Sequence, residues 1–235
     1  MVPVGRALVG ALLAPAALLL LLSLRSGLEP LSWLVGLGSG AVMAAAVGRA
    51  SEHGGLLGPA DLVTLTRATI ACAVASLVAE SWLGAPVTGA LVVLAVTALV
   101  LDAVDGRVAR ATRPTVFGAR FDGEADAFLL LVLSVHIALA YGGWVLAIGL
   151  ARYVFWAAGA VWPWMRRTLP PRDWRKVVTA VQGIALVVAA SDVVPTLAVR
   201  VALLGALALL AESFGRDVWW LVRHRQPNRV GAAAP

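Results

Sequence analysis

The sequence predicts an all-α protein built as a polytopic bundle of membrane-spanning helices. Hydrophobic residues make up 60% of the 235 residues, and the mean hydropathy is +0.88, whereas soluble domains are closer to half apolar. Apolar runs of the roughly 20 residues that cross a bilayer fill most of the chain. Gly and Pro punctuate the joins between them, and no strand-like alternation is long enough for a barrel. The chain is therefore predicted to lie in a membrane, without a separate soluble domain.

Eight runs are long and apolar enough to be predicted as spans. They lie at about 5–24, 31–48, 61–82, 87–110, 117–141, 143–164, 175–192 and 196–221. The first run follows Arg6 and resembles a signal peptide, but its length of about 18 residues favours a transmembrane helix. Residues 51–60 are Gly-rich and too few for a span, so we expect an interfacial connector there.

Arginine is concentrated at alternate joins between the predicted spans. The net charge of +6 comes almost wholly from arginine, and Lys176 is the only lysine. Arg-rich joins follow spans two, four, six and eight, with Arg25 after span one as the exception. The positive-inside rule then predicts cytoplasmic termini and a cytoplasmic join between spans four and five. Arginines this dispersed indicate orientation and contact with anionic lipid rather than nucleic-acid binding. The single cysteine, Cys72, excludes an intrachain disulfide.

Four carboxylates interrupt the apolar pattern around the join between spans four and five. They are Asp102, Asp105, Asp122 and Asp126. Residues three or four apart share one face of a helix, so a short turn near Pro114 would bring the two pairs face to face. Converging carboxylates repel one another unless cations join them. All-oxygen ligands suit Mg²⁺ first, with Mn²⁺ or Ca²⁺ as alternatives, and two such ions would clamp a pyrophosphate.

Small residues and an arginine accompany these carboxylates. Gly106, Ala109 and Gly118 would leave space for a phosphate ligand to approach the backbone, and Arg110 would pair with a phosphate oxygen. An isolated Asp pair at a helix end is usually a cap or a solvated face. Eight fixed positions within one short stretch favour a functional site instead.

At these residues the chain resembles the CDP-alcohol phosphatidyltransferase family. The signature of that family is D-x-x-D-G-x-x-A-R, a short spacer, then G-x-x-x-D-x-x-x-D, and every specified position is filled here. The resemblance covers roughly residues 59–222 and implies a six-helix core. It divides the chain into an extra N-terminal helix pair (1–50), the connector (51–60), the catalytic core (61–222) and a basic cytoplasmic tail (223–235).

The resemblance implies an enzyme of phospholipid biosynthesis and a set of residue roles. Such enzymes transfer a phosphatidyl group from a CDP-linked lipid, such as CDP-diacylglycerol, to an alcohol and release CMP. Others transfer a head group from a CDP-amino alcohol to diacylglycerol, which is our alternative. The four aspartates would hold two Mg²⁺ (or Mn²⁺) ions, and Asp126 would be the general base. The nucleotide and its phosphates would contact the motif's other residues, which are Gly106, Ala109, Arg110 and Gly118. Family analogy also implies a homodimer.

A second motif lies at the start of span three. Family members often carry P-N-x-(L/V)-T-x-x-R there, and this chain has a looser version with Pro59, Asp61, Thr64 and Arg67. Thr64 and Arg67 would share a helix face and contact the nucleotide. Asp61 is a further candidate nucleotide contact, although it replaces the usual Asn and is a departure. Ala127 is another departure, since many members have a basic residue there. The alternative for Arg67 is snorkelling toward the interface.

Further arginines are candidates for contact with the acceptor. Arg152 falls in the middle of span six, where a charge is functional by default. Arg120 and Arg172 are also candidate acceptor contacts, although topology signalling and anionic lipid explain them equally. The rival from another class is a transporter with a cytoplasmic acidic gate, which leaves the glycines and Arg110 of the motif unexplained. A composition rich in Ala and Arg and poor in Lys predicts a bacterial inner or plasma membrane.

Overall fold

The structure is a computed structural model that describes residues 4–51, 58–111, 116–170 and 172–224. Within these ranges the side chains of residues 4–8, 49–51, 59, 105–111, 116–117 and 119–120 are not described. The described residues form eight α-helices and no strand. The predicted fold class, an all-α polytopic bundle, is confirmed.

The helices follow the predicted spans closely. They are α1 (Val4–Ser26), α2 (Pro30–Ser51), α3 (Pro59–Trp82), α4 (Thr88–Ala111), α5 (Val116–Tyr141), α6 (Leu146–Val161), α7 (Asp173–Ala190) and α8 (Thr196–Arg223). Short 3₁₀ turns, Gly143–Val145 and Pro163–Arg166, flank α6. Helix α6 ends before Pro163, because the ring of a proline blocks helix continuation.

Six of these eight helices contain stretches long and apolar enough to cross a membrane. They lie in α1, α2, α3, α5, the segment Gly143–Val161, and α8. The apolar part of α4 among the described residues is the shorter Thr88–Val104, and α7 begins with the charged residues Asp173, Arg175 and Lys176. Large apolar side chains also face outward, such as Trp156 of α6, which is 75% exposed. Because lipid is the solvent that accommodates such a surface, the chain is an integral membrane protein.

Helix α3 is the centre of the bundle. It contacts α1, α2, α4 and α5, and 78% of its apolar stretch is buried. Small side chains occupy its middle, and Ala68, Ala71, Cys72, Ala73 and Ala75 are all buried. Small residues let neighbouring helix backbones approach closely, which is how membrane helices gain packing energy.

The first two helices form a hairpin that packs against α3. The Ser76 hydroxyl of α3 donates a hydrogen bond of 2.8 Å to the carbonyl of Ser32. At the same end of the bundle, the backbone N–H of Glu29 donates to Glu80 Oε2 at 3.0 Å. Glu29 immediately precedes α2, so the buried Glu80 carboxylate satisfies a backbone donor at the start of that helix. The hairpin is therefore joined to α3 by polar contacts as well as by apolar packing.

The second half of the bundle closes around α5. Helix α5 contacts α3, α6 and α7, and α7 packs against α8. Gly149 lies at the crossing of α6 and α5, where the two backbones approach so closely that a Cβ added to it would lie 2.5 Å from the Cα of Leu131. Between α7 and α8, Gln182 Nε2 donates to the carbonyl of Ala206 at 2.8 Å. These crossings fix the relative positions of the four helices that border the candidate site.

Candidate active site

Three of the four predicted ligand aspartates meet at one end of the bundle. Asp102 lies in the C-terminal half of α4, and Asp122 and Asp126 lie one turn apart in the N-terminal half of α5. One carboxylate oxygen from each of the three lies within 4.8 Å of the others. We call this group the aspartate triad. The side chain of Asp105, the fourth predicted ligand, lies outside the described residues.

Arg67 of α3 joins the triad. Its Nη2 lies 2.9 Å from Asp102 Oδ1 and also donates to Asp126 Oδ1, while its Nη1 donates to Asp122 Oδ1. Only 3% of the Arg67 side chain is exposed, so the guanidinium lies inside the bundle rather than at its surface. The planar, forked guanidinium suits several carboxylates at once. Arg67 thus supplies the positive charge that lets the carboxylates converge.

The donor set of the triad fits a hard divalent cation. All its ligand atoms are carboxylate oxygens, which Mg²⁺, Mn²⁺ and Ca²⁺ prefer. The side chains of Asp102 and Asp122 are 39% and 40% exposed, so the cluster is open to the surroundings. When ionised, three carboxylates outnumber the single positive charge of Arg67, which leaves negative charge that a divalent ion would balance. The triad could therefore hold a metal ion.

The start of α3 carries the other residues of the second sequence motif. Asp61 is 4% exposed, and its Oδ2 accepts a hydrogen bond of 2.8 Å from the backbone N–H of Gly58. The Thr64 hydroxyl, also buried, donates to the carbonyl of Ala60 at 3.2 Å. Asp61 therefore stabilises the helix start, where an acidic group is also favoured by the helix dipole. This role of Asp61 was not predicted from the sequence, although a Gly-Pro-x-Asp order is a typical helix-start signal.

Several predicted phosphate contacts have undescribed side chains. Gly118 lies in the first turn of α5 and is partly buried, three residues before Phe121. The backbone of α4 continues through the positions of the other motif residues. The side chains that lie outside the described set are those of Asp105, Ala109, Arg110 and Arg120, and nothing beyond the helix is described for Gly106.

A cleft of about 180 Å³ lies beside the triad, between α5, α6, α7 and α8. Asp126 lines it, together with Arg152 of α6 and with Thr179 and Gln182 of α7. Most of the remaining lining is apolar: Ala127, Leu130, Ile148, Ala151, Leu210 and Phe214. Thr179 and Gln182 of α7 were not predicted from the sequence as site residues. Both are polar residues within an apolar run, but that pattern alone does not show which neighbours their side chains would contact.

The predicted acceptor arginines with described side chains form ion pairs. Arg152 Nη2 donates to Glu124 Oε1 at 2.8 Å. Arg172 Nη1 lies 3.7 Å from Asp217 Oδ1. Arg175 binds the same carboxylate with two hydrogen bonds, each of 2.8 Å. Asp217 thus neutralises part of the basic segment between α6 and α7.

The fold and the site define a class: integral membrane enzymes with a carboxylate site at one end of a helix bundle. A comparison with protein-family models found the CDP-alcohol phosphatidyltransferase family over residues 58–211. The match covers more than half of the chain, so the chain belongs to that family and is an enzyme of that class. Searches of curated proteins and of solved structures found no match. The family transfers phosphatidyl groups from a CDP-alcohol, and membership therefore favours an enzyme over the transporter alternative.

Proposed function

We propose that the enzyme transfers a phosphatidyl group from a CDP-diacylglycerol-like lipid to an alcohol acceptor and releases CMP, as a step of phospholipid biosynthesis. The observation that carries this proposal is the aspartate triad beside a cleft that Asp126 lines. A metal-type carboxylate cluster next to a space for a second substrate is the arrangement that transfer between two substrates requires.

Asp102, Asp122 and Asp126 are the proposed metal ligands, with Asp105 as the fourth. Their all-oxygen donor set supports Mg²⁺, with Mn²⁺ as the alternative, and four carboxylates support two ions. When bound, such ions would neutralise the pyrophosphate and stabilise the charge that develops on the leaving phosphate. Arg67 contacts the same carboxylate oxygens, so its guanidinium would shift from them toward the phosphates as the ions bind.

Asp126 is the proposed general base. It is the member of the triad that lines the cleft, so an acceptor hydroxyl in the cleft would lie within its reach. The carboxylate would accept the hydroxyl proton as the acceptor oxygen attacks the lipid-linked phosphorus. The new bond joins the acceptor oxygen to that phosphorus. The bond that breaks joins the phosphorus to the oxygen of CMP, which leaves with the electron pair.

Phosphate and nucleotide contacts are proposed for the remaining motif residues. Arg67 and Thr64 lie on α3 within one turn of each other, and Arg67 adjoins the triad. Asp61 would contribute by holding the start of that helix. Gly106, Ala109 and Arg110 follow Asp102 along α4, and Gly118 precedes Asp122 on α5. These four residues would complete the nucleotide contacts. Arg152 is the proposed acceptor contact best supported by position, since it lines the cleft. Arg120 and Arg172 stay predictions.

The same site chemistry would serve the alternative reaction. In head-group transfer from a CDP-amino alcohol, the attacking hydroxyl would belong to diacylglycerol.

The alternation of arginines supports a cytoplasmic active site and cytoplasmic termini in a bacterial inner or plasma membrane. Residues 1–50 would form a supporting pair, 51–60 a connector, 61–222 the catalytic core and 223–235 the tail. A homodimer stays a prediction from family analogy.

The test is an assay with purified protein in liposomes that contain CDP-diacylglycerol. With Mg²⁺ and a panel of alcohols, we expect CMP and a new phospholipid in a one-to-one ratio. Chelation by EDTA should abolish both products, and added Mg²⁺ should restore them. Diacylglycerol with CDP-amino alcohols, run in parallel, tests the alternative. Absence of CMP with every acceptor, or solute flux without CMP, would overturn the proposal.

A further inference from the structure

The cleft beside Asp126 is small and holds few polar groups. Its volume of about 180 Å³ is below the roughly 300–1,000 Å³ typical of pockets for drug-sized ligands. It lies among helices on the side of α5 that faces α6 and α7. A space of this size suits a small head group, so the acceptor's own polar atoms must match the few side chains around it.

Gln182 is a fully buried polar residue that lines this cleft. The side chain has no exposed surface, and its Nε2 donates to the carbonyl of Ala206 at 2.8 Å. Its Oε1 is buried and accepts no hydrogen bond from the described residues. A buried amide oxygen without a donor is destabilising, and native proteins leave few such groups. A ligand that donates a hydrogen bond would satisfy it.

Thr179 lies three residues before Gln182 on α7 and also lines the cleft. Its hydroxyl hydrogen is used in a bond of 3.0 Å to the carbonyl of Arg175. Its oxygen lone pairs are what it offers to a ligand. Thr179 and Gln182 therefore present acceptors rather than donors.

The charged side chains around the cleft also favour a ligand that donates hydrogen bonds. Asp126 is a carboxylate, and the guanidinium of Arg152 is paired with Glu124 at 2.8 Å. Beyond the cleft, Arg172 and Arg175 face the carboxylate of Asp217. Of the four described polar side chains that line the cleft, Asp126, Thr179 and Gln182 present acceptors, and the one cation, Arg152, is paired with Glu124. A phosphate on the acceptor would meet carboxylate and amide oxygens without a matching positive charge.

We infer that this cleft selects a small, non-anionic alcohol with at least one hydrogen-bond donor besides its reacting hydroxyl, and that Gln182 and Thr179 determine this specificity. The inference rests on the proposed function, because it names the acceptor class of the same site. The reacting hydroxyl would face Asp126. The second donor would bond to Gln182 Oε1, and the apolar lining would cover the carbon skeleton. Phosphorylated alcohols would be disfavoured.

The test uses the full chain in liposomes with CDP-diacylglycerol and Mg²⁺. Alcohols are supplied in matched pairs with and without a phosphate, such as glycerol with glycerol 3-phosphate and inositol with inositol phosphate. We expect the best substrate to be unphosphorylated, with kcat/KM about tenfold above that of its phosphate ester. If the best substrate is a phosphate ester, the inference fails while the proposed function stands. If no alcohol yields CMP, both fail.

Two variants test the specificity residues separately. Gln182→Leu and Thr179→Val each remove a hydrogen-bond acceptor from the cleft. We expect the KM for the acceptor to rise about five- to tenfold, as the loss of one hydrogen bond implies, while the KM for the CDP-lipid stays within twofold. Thr97→Val is the matched control, because Thr97 is exposed on α4 and makes the same intrahelical bond, to Val93. If Gln182→Leu does not fold, Thr179→Val still decides. An unchanged acceptor KM in the variants that fold overturns the inference.

Discussion

Arg67 connects the sequence motifs of α3, α4 and α5. It is almost fully buried, and its guanidinium contacts a carboxylate of each triad residue. A charge in such a position is costly unless it is paired. The three carboxylates need it equally, since without a cation they repel one another. Arg67 and a metal ion would therefore compete for the same oxygens.

This competition predicts the behaviour of Arg67→Gln. Removing one partner from a buried ion pair costs about 3–5 kcal/mol, so without divalent metal the variant should lose about 3 kcal/mol of stability. Added Mg²⁺ should stabilise it more than it stabilises the wild type, because the competing cation is gone. Denaturant unfolding in detergent, with and without Mg²⁺, measures both effects.

The control for that measurement is Arg200→Gln. Arg200 is exposed on α8, near the opposite end of the bundle from the triad, and its replacement should change stability by less than about 0.5 kcal/mol. The predicted competition is wrong if Arg67→Gln is as stable as the wild type, or if Mg²⁺ stabilises the variant less than it stabilises the wild type.

The aspartates of the site were predictable, and their partners were only partly so. Helical spacing and the family signature select Asp102, Asp122 and Asp126 from the sequence. Gln182 and the pair of Arg152 with Glu124 were not predictable. Glu124 and Arg152 lie 28 residues apart in the chain, and no local sequence pattern predicts which faces of α5 and α6 contact each other. Such partners depend on tertiary packing.

At the scale of helices, the crossing of α5 and α6 positions the cleft. Both helices contribute lining residues. A Cβ at Gly149 would lie 2.5 Å from the Cα of Leu131 and 3.0 Å from the carbonyl oxygen of Leu130. Backbone atoms cannot rotate away as a flexible side chain can, so any larger residue forces the two helices apart.

Gly149→Ala should therefore destabilise the bundle and deform the cleft. We expect a loss of about 1–3 kcal/mol, as for other overpacked interiors, and a several-fold lower kcat/KM for the acceptor. Gly205→Ala is the matched control, because no atom lies within 4 Å of a Cβ added there. Thermal unfolding and acceptor kinetics on both variants are the measurements. Equal stability and kinetics in the two variants would show that the crossing is not close.

Helix boundaries were predictable to within a few residues because the apolar runs end at glycine and proline. The membrane-spanning capacity of α4 and α7 was harder to predict. In both helices the apolar stretch adjoins a charged segment. In α4 this segment is the carboxylate motif in its C-terminal half, and in α7 it is the charged first turn. Hydropathy averages over such a junction and does not separate a span from its charged end.

At the scale of the whole molecule, α3 organises the bundle, and the sequence did not identify it as the centre. Its small buried residues indicated close packing, but small residues occur throughout the chain. The contacts of the N-terminal hairpin with Ser76 and Glu80 also join distant segments. Composition predicts a helix bundle well, because lipid permits few other folds. The order in which the helices pack requires the structure.

We propose metal-dependent phosphatidyl transfer at the aspartate triad, with Asp126 as the base. The most direct measurement is CMP release by Asp126→Asn, beside Asp192→Asn as a matched control in the loop between α7 and α8, at the other end of the bundle. The account predicts that Asp126→Asn folds and inserts but loses roughly 10²–10⁴-fold in rate, while Asp192→Asn keeps its activity. Full CMP release by Asp126→Asn would contradict it.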